Sequence, residues 1–83
     1  MNSTIREILS KFGQLPVPVD TIADDADLYT VGLSSFASVQ LMLGLEDAFD
    51  IEFPDSMLNR KSFASIGAIE KTVDMILGSR KVA

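Results

Sequence analysis

The sequence Gly32-Leu33-Ser34-Ser35-Phe36 opens the stretch around which the whole chain is organised. Gly32 permits a backbone turn that residues with side chains resist. Ser34 is a good N-cap, because its hydroxyl can accept a hydrogen bond from a free amide of the first helical turn. These residues therefore predict a helix that begins after Ser34 and runs to about Phe49.

The segment from Leu28 to Leu45 contains no charged residue, whereas aspartate and glutamate crowd both sides of it. A run of that length is near the lower limit for a membrane span. Its serines, glutamine and glycines argue against a span, and so do its acidic flanks, because cytoplasmic flanks normally carry lysine or arginine. We therefore expect no membrane span. The segment is either buried in the protein or offered to a partner.

The predicted helix has two apolar faces. At about 100° per residue, one stripe that we expect in the core comprises Ser38, Leu41, Met42, Leu45 and Phe49. The opposite side carries Phe36, Val39 and Leu43. A domain of this size has too little mass to cover both faces deeply. The second stripe is therefore either partly exposed as a docking surface or covered by the long loop before the helix.

Ser35 follows the cap and so lies in the first helical turn. Unpaired N–H groups and the positive end of the helix dipole favour an anion there. An anion attached to the Ser35 hydroxyl would therefore be stabilised. A serine pair before a helix is more often a plain capping pair, so these residues alone leave modification of Ser35 open.

Composition limits the function classes. The 83 residues predict a single domain, residues 1–83, and the net charge of −5 disfavours a nucleic-acid partner. The chain has no cysteine and no histidine, so the thiol nucleophile, the common general base and the commonest transition-metal ligands are missing. We expect no catalysis by the chain itself and no metal site. No signal peptide is evident, and we expect a cytoplasmic protein.

The N-terminal third predicts one helix and a long loop. The helix begins at Ser3 or Thr4, where Thr4 and Glu7 match a capping box, and Gly13 is its natural stop. Residues 14–33 form a long connection packed across the helices, with a short turn near residues 20–23. The charged residues of the helix are expected to face water, namely Arg6, Glu7 and Lys11.

The C-terminal third predicts a short helix and a long one. Pro54 starts a new segment, in which Asp55 or Ser56 can cap a short helix that runs through Asn59. The last helix is capped by Ser62 or Ser65 and stops at Gly78, which leaves a short polar tail. The fold class that results is all-α: a small four-helix bundle of three longer helices and one short helix, with a long loop between helices one and two.

Three motifs in the middle of the chain occur together in one known family. They are Gly32-Leu33-Ser34-Ser35-Phe36, then Val39, Leu41 and Leu45-Glu46, then Phe49-Asp50-Ile51-Glu52-Phe53-Pro54-Asp55. This arrangement resembles the acyl carrier protein family, whose pattern is Gly-x-Asp-Ser-apolar, a leucine-rich helix and a Glu-x-x-Phe-(Asp)-Ile-x-Ile-Pro segment. The resemblance is strong over residues 28–55 and weaker but consistent over residues 65–77.

The resemblance implies that Ser35 carries 4′-phosphopantetheine, transferred from coenzyme A by a phosphopantetheinyl transferase. The thiol of the arm would hold an acyl or aminoacyl group as a thioester. The implied partners are an acyl- or aminoacyl-loading ligase and a downstream transferase or synthase, and the carrier itself is expected to be a monomer. The expected contact patch for partners comprises Leu33, Phe36, Val39, Leu43, Glu46 and Asp47.

The chain departs from the family pattern at the start of this helix. Ser34 stands where the family usually has aspartate, and Ala37 and Gln40 stand where fatty-acid carriers commonly have acidic residues. This indicates a dedicated stand-alone carrier outside bulk fatty-acid synthesis, of the polyketide, peptidyl or aminoacyl kind. The alternative function is an unmodified helical adaptor that docks through Phe36, Val39 and Leu43. The identity of the cargo stays open.

Overall fold

The computed structural model describes the backbone of residues 1–81 and the side chains of residues 1–78. Its four α-helices are α1 (Asn2–Phe12), α2 (Leu28–Val31), α3 (Ser35–Phe49) and α4 (Ile66–Lys81). Three 3-10 turns lie between them, at Val19–Thr21, Asp55–Met57 and Arg60–Phe63. Residues 1–81 contain no strand, and the predicted all-α fold is confirmed.

The three long helices pack around one apolar core, because each has buried side chains at helical spacing. The buried residues of α1, α3 and α4 are Ile5, Ile8, Leu9, Ala37, Leu41, Leu45, Ile66, Ile69, Val73 and Ile76. The connecting segments complete the core with Ile22, Leu28, Leu33, Ile51, Phe53 and Phe63. Within the described range 1–81, no helix combines the length and hydropathy that crossing a bilayer requires.

Helices α1 and α3 approach each other closely at Gly44. A Cβ atom at Gly44 would lie 2.8 Å from two ring carbons of Phe12 and 2.9 Å from Cγ2 of Ile8. The missing side chain therefore makes room for the end of α1 against the middle of α3. This contact fixes the position of α3, the helix on which the candidate site is built.

Arg6 holds the long loop against α1. Its guanidinium donates to the carbonyl oxygens of Val19 and Ile22 and to Oδ1 of Asp24, the last at 2.6 Å. The expectation that Arg6 faces water is therefore wrong. The planar guanidinium has several donors, and the loop turns its carbonyl groups towards them.

The start of α1 also differs from the prediction. The helix begins at Asn2, with Met1 in the N-cap position and no side-chain cap, and Ile5 N donates to the carbonyl of Met1. Thr4 consequently lies inside the helix, so the predicted capping box with Glu7 does not form. The predicted end at Gly13 is confirmed.

The short α-helix lies before α3, within the predicted loop. Asp27 caps α2 by accepting from the backbone N–H of Tyr29, and Gly32 N donates to the carbonyl of Leu28 at the other end. The predicted short helix after Pro54 does not form. Two 3-10 turns, Asp55–Met57 and Arg60–Phe63, occupy this region instead. These turns place residues 58–63 beside the start of α3.

The last helix has the predicted cap and a later end. Ser65 Oγ accepts from the backbone N–H of Ala68 at 3.0 Å. Gly78 does not stop the helix, which continues to Lys81. A helix tolerates one interior glycine at a cost of about 1 kcal/mol. The rest of the predicted tail, residues 82 and 83, lies outside the described residues.

Candidate functional site

The turn from α2 into α3 has the predicted geometry. Gly32 adopts a φ of 136°, in the region that favours glycine, and this redirects the chain at the end of α2. Ser34 is extended, with φ −83° and ψ 163°, and its Oγ accepts from the backbone N–H of Ala37 at 3.0 Å. The predictions of Ser34 as the N-cap and of a helix ending at Phe49 are confirmed.

Ser35 is the first residue of α3, and it is exposed. Because Ser34 provides the cap, the hydroxyl of Ser35 is not needed for the cap. Its carbonyl accepts a hydrogen bond from Ser38 Oγ at 2.7 Å, which adds a contact to the first turn. The first turn contains no acidic residue. Ser35 thus presents an accessible hydroxyl beside the partly positive end of a helix.

A groove of about 410 Å³ lies beside Ser35, between α2, the start of α3 and residues 58–63. Its wall is more apolar than polar. The residues that line it are Tyr29, Ser35, Ser38, Val39, Met42, Leu58, Asn59, Arg60 and Phe63. Sequence reasoning did not bring Tyr29 and Arg60 together with Ser35, because they meet only when α2 and the 3-10 turns fold against α3.

Arg60 lies over the ring of Tyr29, with its guanidinium carbon 3.9 Å from the ring centroid. This is a cation–π contact at one wall of the groove. Asp27, the cap of α2, lies close by: its partial desolvation opposes ionisation, but hydrogen bonds from Thr30 and from Tyr29 N outweigh it and lower its pKa. The charge of Arg60 also lowers the pKa of Asp27.

The outer face of α3 is exposed. Phe36, Val39 and Leu43 are 69%, 50% and 51% exposed. The long loop therefore does not cover this face, and the second stripe is exposed; docking of a partner on it stays a prediction. On the inner face Leu41 and Leu45 are buried as predicted, while Ser38, Met42 and Phe49 are half-buried.

Two other members of the expected contact patch, Leu33 and Glu46, are not exposed on this face. Leu33 is only 4% exposed, so its place in a partner-contact surface is a wrong prediction: the turn after Gly32 directs its side chain into the core. Glu46 is half-buried, and its Oε2 accepts from the backbone N–H of Phe53 at 3.0 Å. Its carboxylate holds the segment after α3 in place. Asp47 is exposed on the same helix.

Comparison with known families identifies the kind of site. The family described as "Phosphopantetheine attachment site" has a sequence model that matches residues 3–73, which include α2, α3, the groove and all of α1 but its first residue. The chain belongs to this family. It is a carrier protein, and its prosthetic group is a covalently attached phosphopantetheine.

Individual carrier proteins are similar over most of the chain. The aminoacyl carrier protein of Agrobacterium fabrum is 77% identical over 83 residues, 100% of both chains. A second similar chain occurs in a crystal structure of an engineered Bradyrhizobium japonicum glycine:[carrier protein] ligase with the carrier protein from Agrobacterium tumefaciens and AMP. It is 82% identical, with a TM-score of 0.88, and the match covers 89% of this chain and 99% of that chain. In a crystal structure of the Bradyrhizobium japonicum ligase with glycylated carrier protein, one chain is 32% identical, with a TM-score of 0.73, and the match covers 86% of this chain and 95% of that chain.

The residues around Ser35 fit a phosphopantetheine group. The exposed hydroxyl can be esterified without loss of the helix cap, which Ser34 supplies. The first turn of α3 has no carboxylate that would repel a phosphodiester. The neighbouring groove offers a largely apolar wall to the uncharged part of the arm.

Proposed function

We propose that Ser35 is the attachment residue and that the chain carries an aminoacyl group on the arm attached there. The observation that carries this proposal is the position of Ser35: it is exposed, it is the first residue of α3, and it directly follows the residue that caps the helix. The family match over residues 3–73, a range that includes Ser35, supports an attachment site within that range.

The backbone of α3 stabilises the attached phosphodiester. The first N–H groups of a helix have no partner within the helix, and the dipole is positive at this end. Of these groups, Ala37 N already donates to Ser34 Oγ. The N–H groups of Ser35 and Phe36, which precede it in the first turn, are the ones we propose for the phosphodiester. An exposed anion here gains about 0.3–1 kcal/mol. When bound, the arm supplies a thiol that forms a thioester with the cargo.

An aminoacyl cargo is supported by the relatives. The Agrobacterium fabrum relative is an aminoacyl carrier protein, and similar chains occur in complexes with glycine:[carrier protein] ligase, one of them glycylated. We therefore propose that a ligase of this class loads the chain and that glycine is its first candidate amino acid. A phosphopantetheinyl transferase attaches the arm beforehand, and a downstream transferase or synthase takes the cargo.

The exposed face of α3 is the proposed docking surface for that ligase. Phe36, Val39 and Leu43 project from the helix that begins at Ser35, so an enzyme seated on them stands next to the attachment site. Asp47 adds a negative charge further along the helix. Because residues 28–45 carry no charge, we expect apolar contact to dominate this docking.

Several properties follow from this function and are proposed with it. The chain itself has no catalytic activity and leaves the chemistry to its partners, since it has no histidine or cysteine. We propose a monomeric, stand-alone cytoplasmic carrier, with residues 1–83 forming one domain.

The test of attachment is the intact mass of the protein after incubation with coenzyme A and a broad-specificity phosphopantetheinyl transferase. Wild type is expected to gain one phosphopantetheine increment, and Ser35→Ala is expected to gain none. Ser34→Ala is the matched control, since it removes the neighbouring hydroxyl and should still be modified. An increment that survives in Ser35→Ala would refute the assignment.

A further inference from the structure

The groove beside Ser35 has few charged groups on its walls. Of the described residues that line it, Arg60 is the one that carries a charge, and none has a carboxylate. Asp27 lies near Arg60, but it is exposed and is engaged in capping α2. The groove is therefore a largely apolar space with a single positive charge at its wall.

An aminoacyl thioester ends in an α-ammonium group, because an α-amino group has a pKa of about 7.7–8.0. Moving this cation into an apolar groove without a carboxylate partner costs free energy. Two aromatic rings line the groove, those of Tyr29 and Phe63. The ring of Tyr29 already receives a cation, the guanidinium of Arg60 at 3.9 Å, and the ring of Phe63 is buried and packs edge-to-face against Phe53. Asn59 offers little compensation, since its Oδ1 accepts from the backbone N–H of Ser62.

We propose that this groove is a charge filter, in which the Arg60–Tyr29 pair keeps the ammonium end of an aminoacyl cargo out and admits an uncharged end of the same size. The proposal rests on attachment at Ser35, and it adds which cargo enters the groove. The aminoacyl group then stays in solvent, where a partner enzyme can take it without first extracting it from the carrier.

Glycyl and propionyl groups provide a matched pair for the test. They have the same number of heavy atoms, and they differ in that an ammonium replaces a methyl group. We attach each to the carrier with a phosphopantetheinyl transferase and a coenzyme A analogue in which an amide replaces the thioester, so that the cargo does not hydrolyse. Intact mass first confirms that one arm is present.

Backbone amide NMR shifts then report occupancy of the groove, with the unloaded arm as reference. We expect the propionyl form to shift the signals of Ser38, Met42 and Phe63 and the glycyl form to leave them at their reference positions. In Arg60→Glu, the glycyl form is expected to shift the same three signals. The control Lys61→Glu makes the same charge change at the neighbouring exposed residue, which does not line the groove, and should behave as wild type.

Each outcome decides one claim. Glycyl shifts in wild type equal to the propionyl shifts would overturn the filter, and so would equal behaviour of Arg60→Glu and Lys61→Glu. Absence of propionyl shifts would show that the groove admits neither cargo and would also overturn it. Failure to gain the arm at all would instead refute attachment at Ser35, and the filter would fall with it.

Discussion

Ser34 and Ala37 are joined by a hydrogen bond in which the backbone N–H of Ala37 donates to Ser34 Oγ at 3.0 Å. This bond begins α3 and leaves the next hydroxyl, that of Ser35, available for modification. We expect Ser34→Ala to lower the free energy of unfolding by about 1 kcal/mol, because the cap is lost. Ser34→Asp should retain wild-type stability, since aspartate caps equally well and its charge favours the helix dipole. Urea unfolding of the three proteins measures the difference, and equal stability of Ser34→Ala and wild type would contradict the cap.

The contact between α1 and α3 predicts opposite effects for two glycine substitutions. Gly44→Ala should destabilise the protein by about 1–2 kcal/mol, because its Cβ would meet Phe12 and Ile8 at 2.8–2.9 Å and overpacking outweighs the better helix propensity. Gly78→Ala is the matched control: no atom of the described residues lies within 4 Å of the added Cβ, so it should stabilise by about 0.5–1 kcal/mol. Thermal and urea unfolding compare the two. Stabilisation by both variants would mean that the helices are not in close contact at Gly44.

The interaction of Asp24 with Asn2 and Arg6 predicts a dependence of stability on pH. Hydrogen bonds from the side chains of Asn2 and Arg6 lower the pKa of Asp24 below 3.8. Since the folded-state pKa is the lower one, this carboxylate stabilises the fold fully above the unfolded-state pKa, and its contribution is lost as pH falls through the folded-state pKa. The free energy of unfolding of Asp24→Asn should therefore fall less than that of wild type between neutral pH and pH 3. The control Asp25→Asn removes the same charge one residue away, and its stability should fall with pH more than that of Asp24→Asn. Identical pH profiles for the two variants would contradict the interaction of Asp24 with Asn2 and Arg6.

The fold was largely predictable because three helices obey helical spacing of apolar residues. Ile5, Ile8 and Leu9 in α1, and Leu41 and Leu45 in α3, are buried as their spacing predicts. Predictions of a helix end that depended on a single glycine were less accurate. Gly13 ends α1, whereas Gly78 lies within α4, since glycine permits a helix end but does not impose one.

The parts of the site that sequence reasoning missed depend on tertiary contact. The four-residue α2 is too short to show apolar periodicity, although Asp27 before it and Gly32 after it were the available signals. The Arg60–Tyr29 pair joins residues far apart in the chain, which no local pattern predicts. Leu33 was expected in the contact patch, at the edge of the loop before α3, but the turn at Gly32 directs it into the core.

The docking surface predicts a loss of loading without a loss of stability. Leu43→Ser should reduce kcat/KM for glycylation of the phosphopantetheine form by a glycine:[carrier protein] ligase about tenfold, as expected for truncation of one well-placed apolar contact. Unfolding free energy should change by no more than about 0.5 kcal/mol, since the side chain is 51% exposed. Met75→Ser is the control, with a side chain 52% exposed on α4, and should load normally. Equal loading of both variants would exclude Leu43 from the docking surface.

The most direct measurement of the central claim is the position of phosphopantetheine in protein purified from its native cell. Trypsin releases the peptide spanning residues 12–60, which contains Ser34, Ser35, Ser38 and Ser56, and electron-transfer fragmentation separates these serines. We predict that the phosphopantetheine mass lies on Ser35. Its presence on another serine, or an unmodified peptide in cells with an active phosphopantetheinyl transferase, would contradict this assignment.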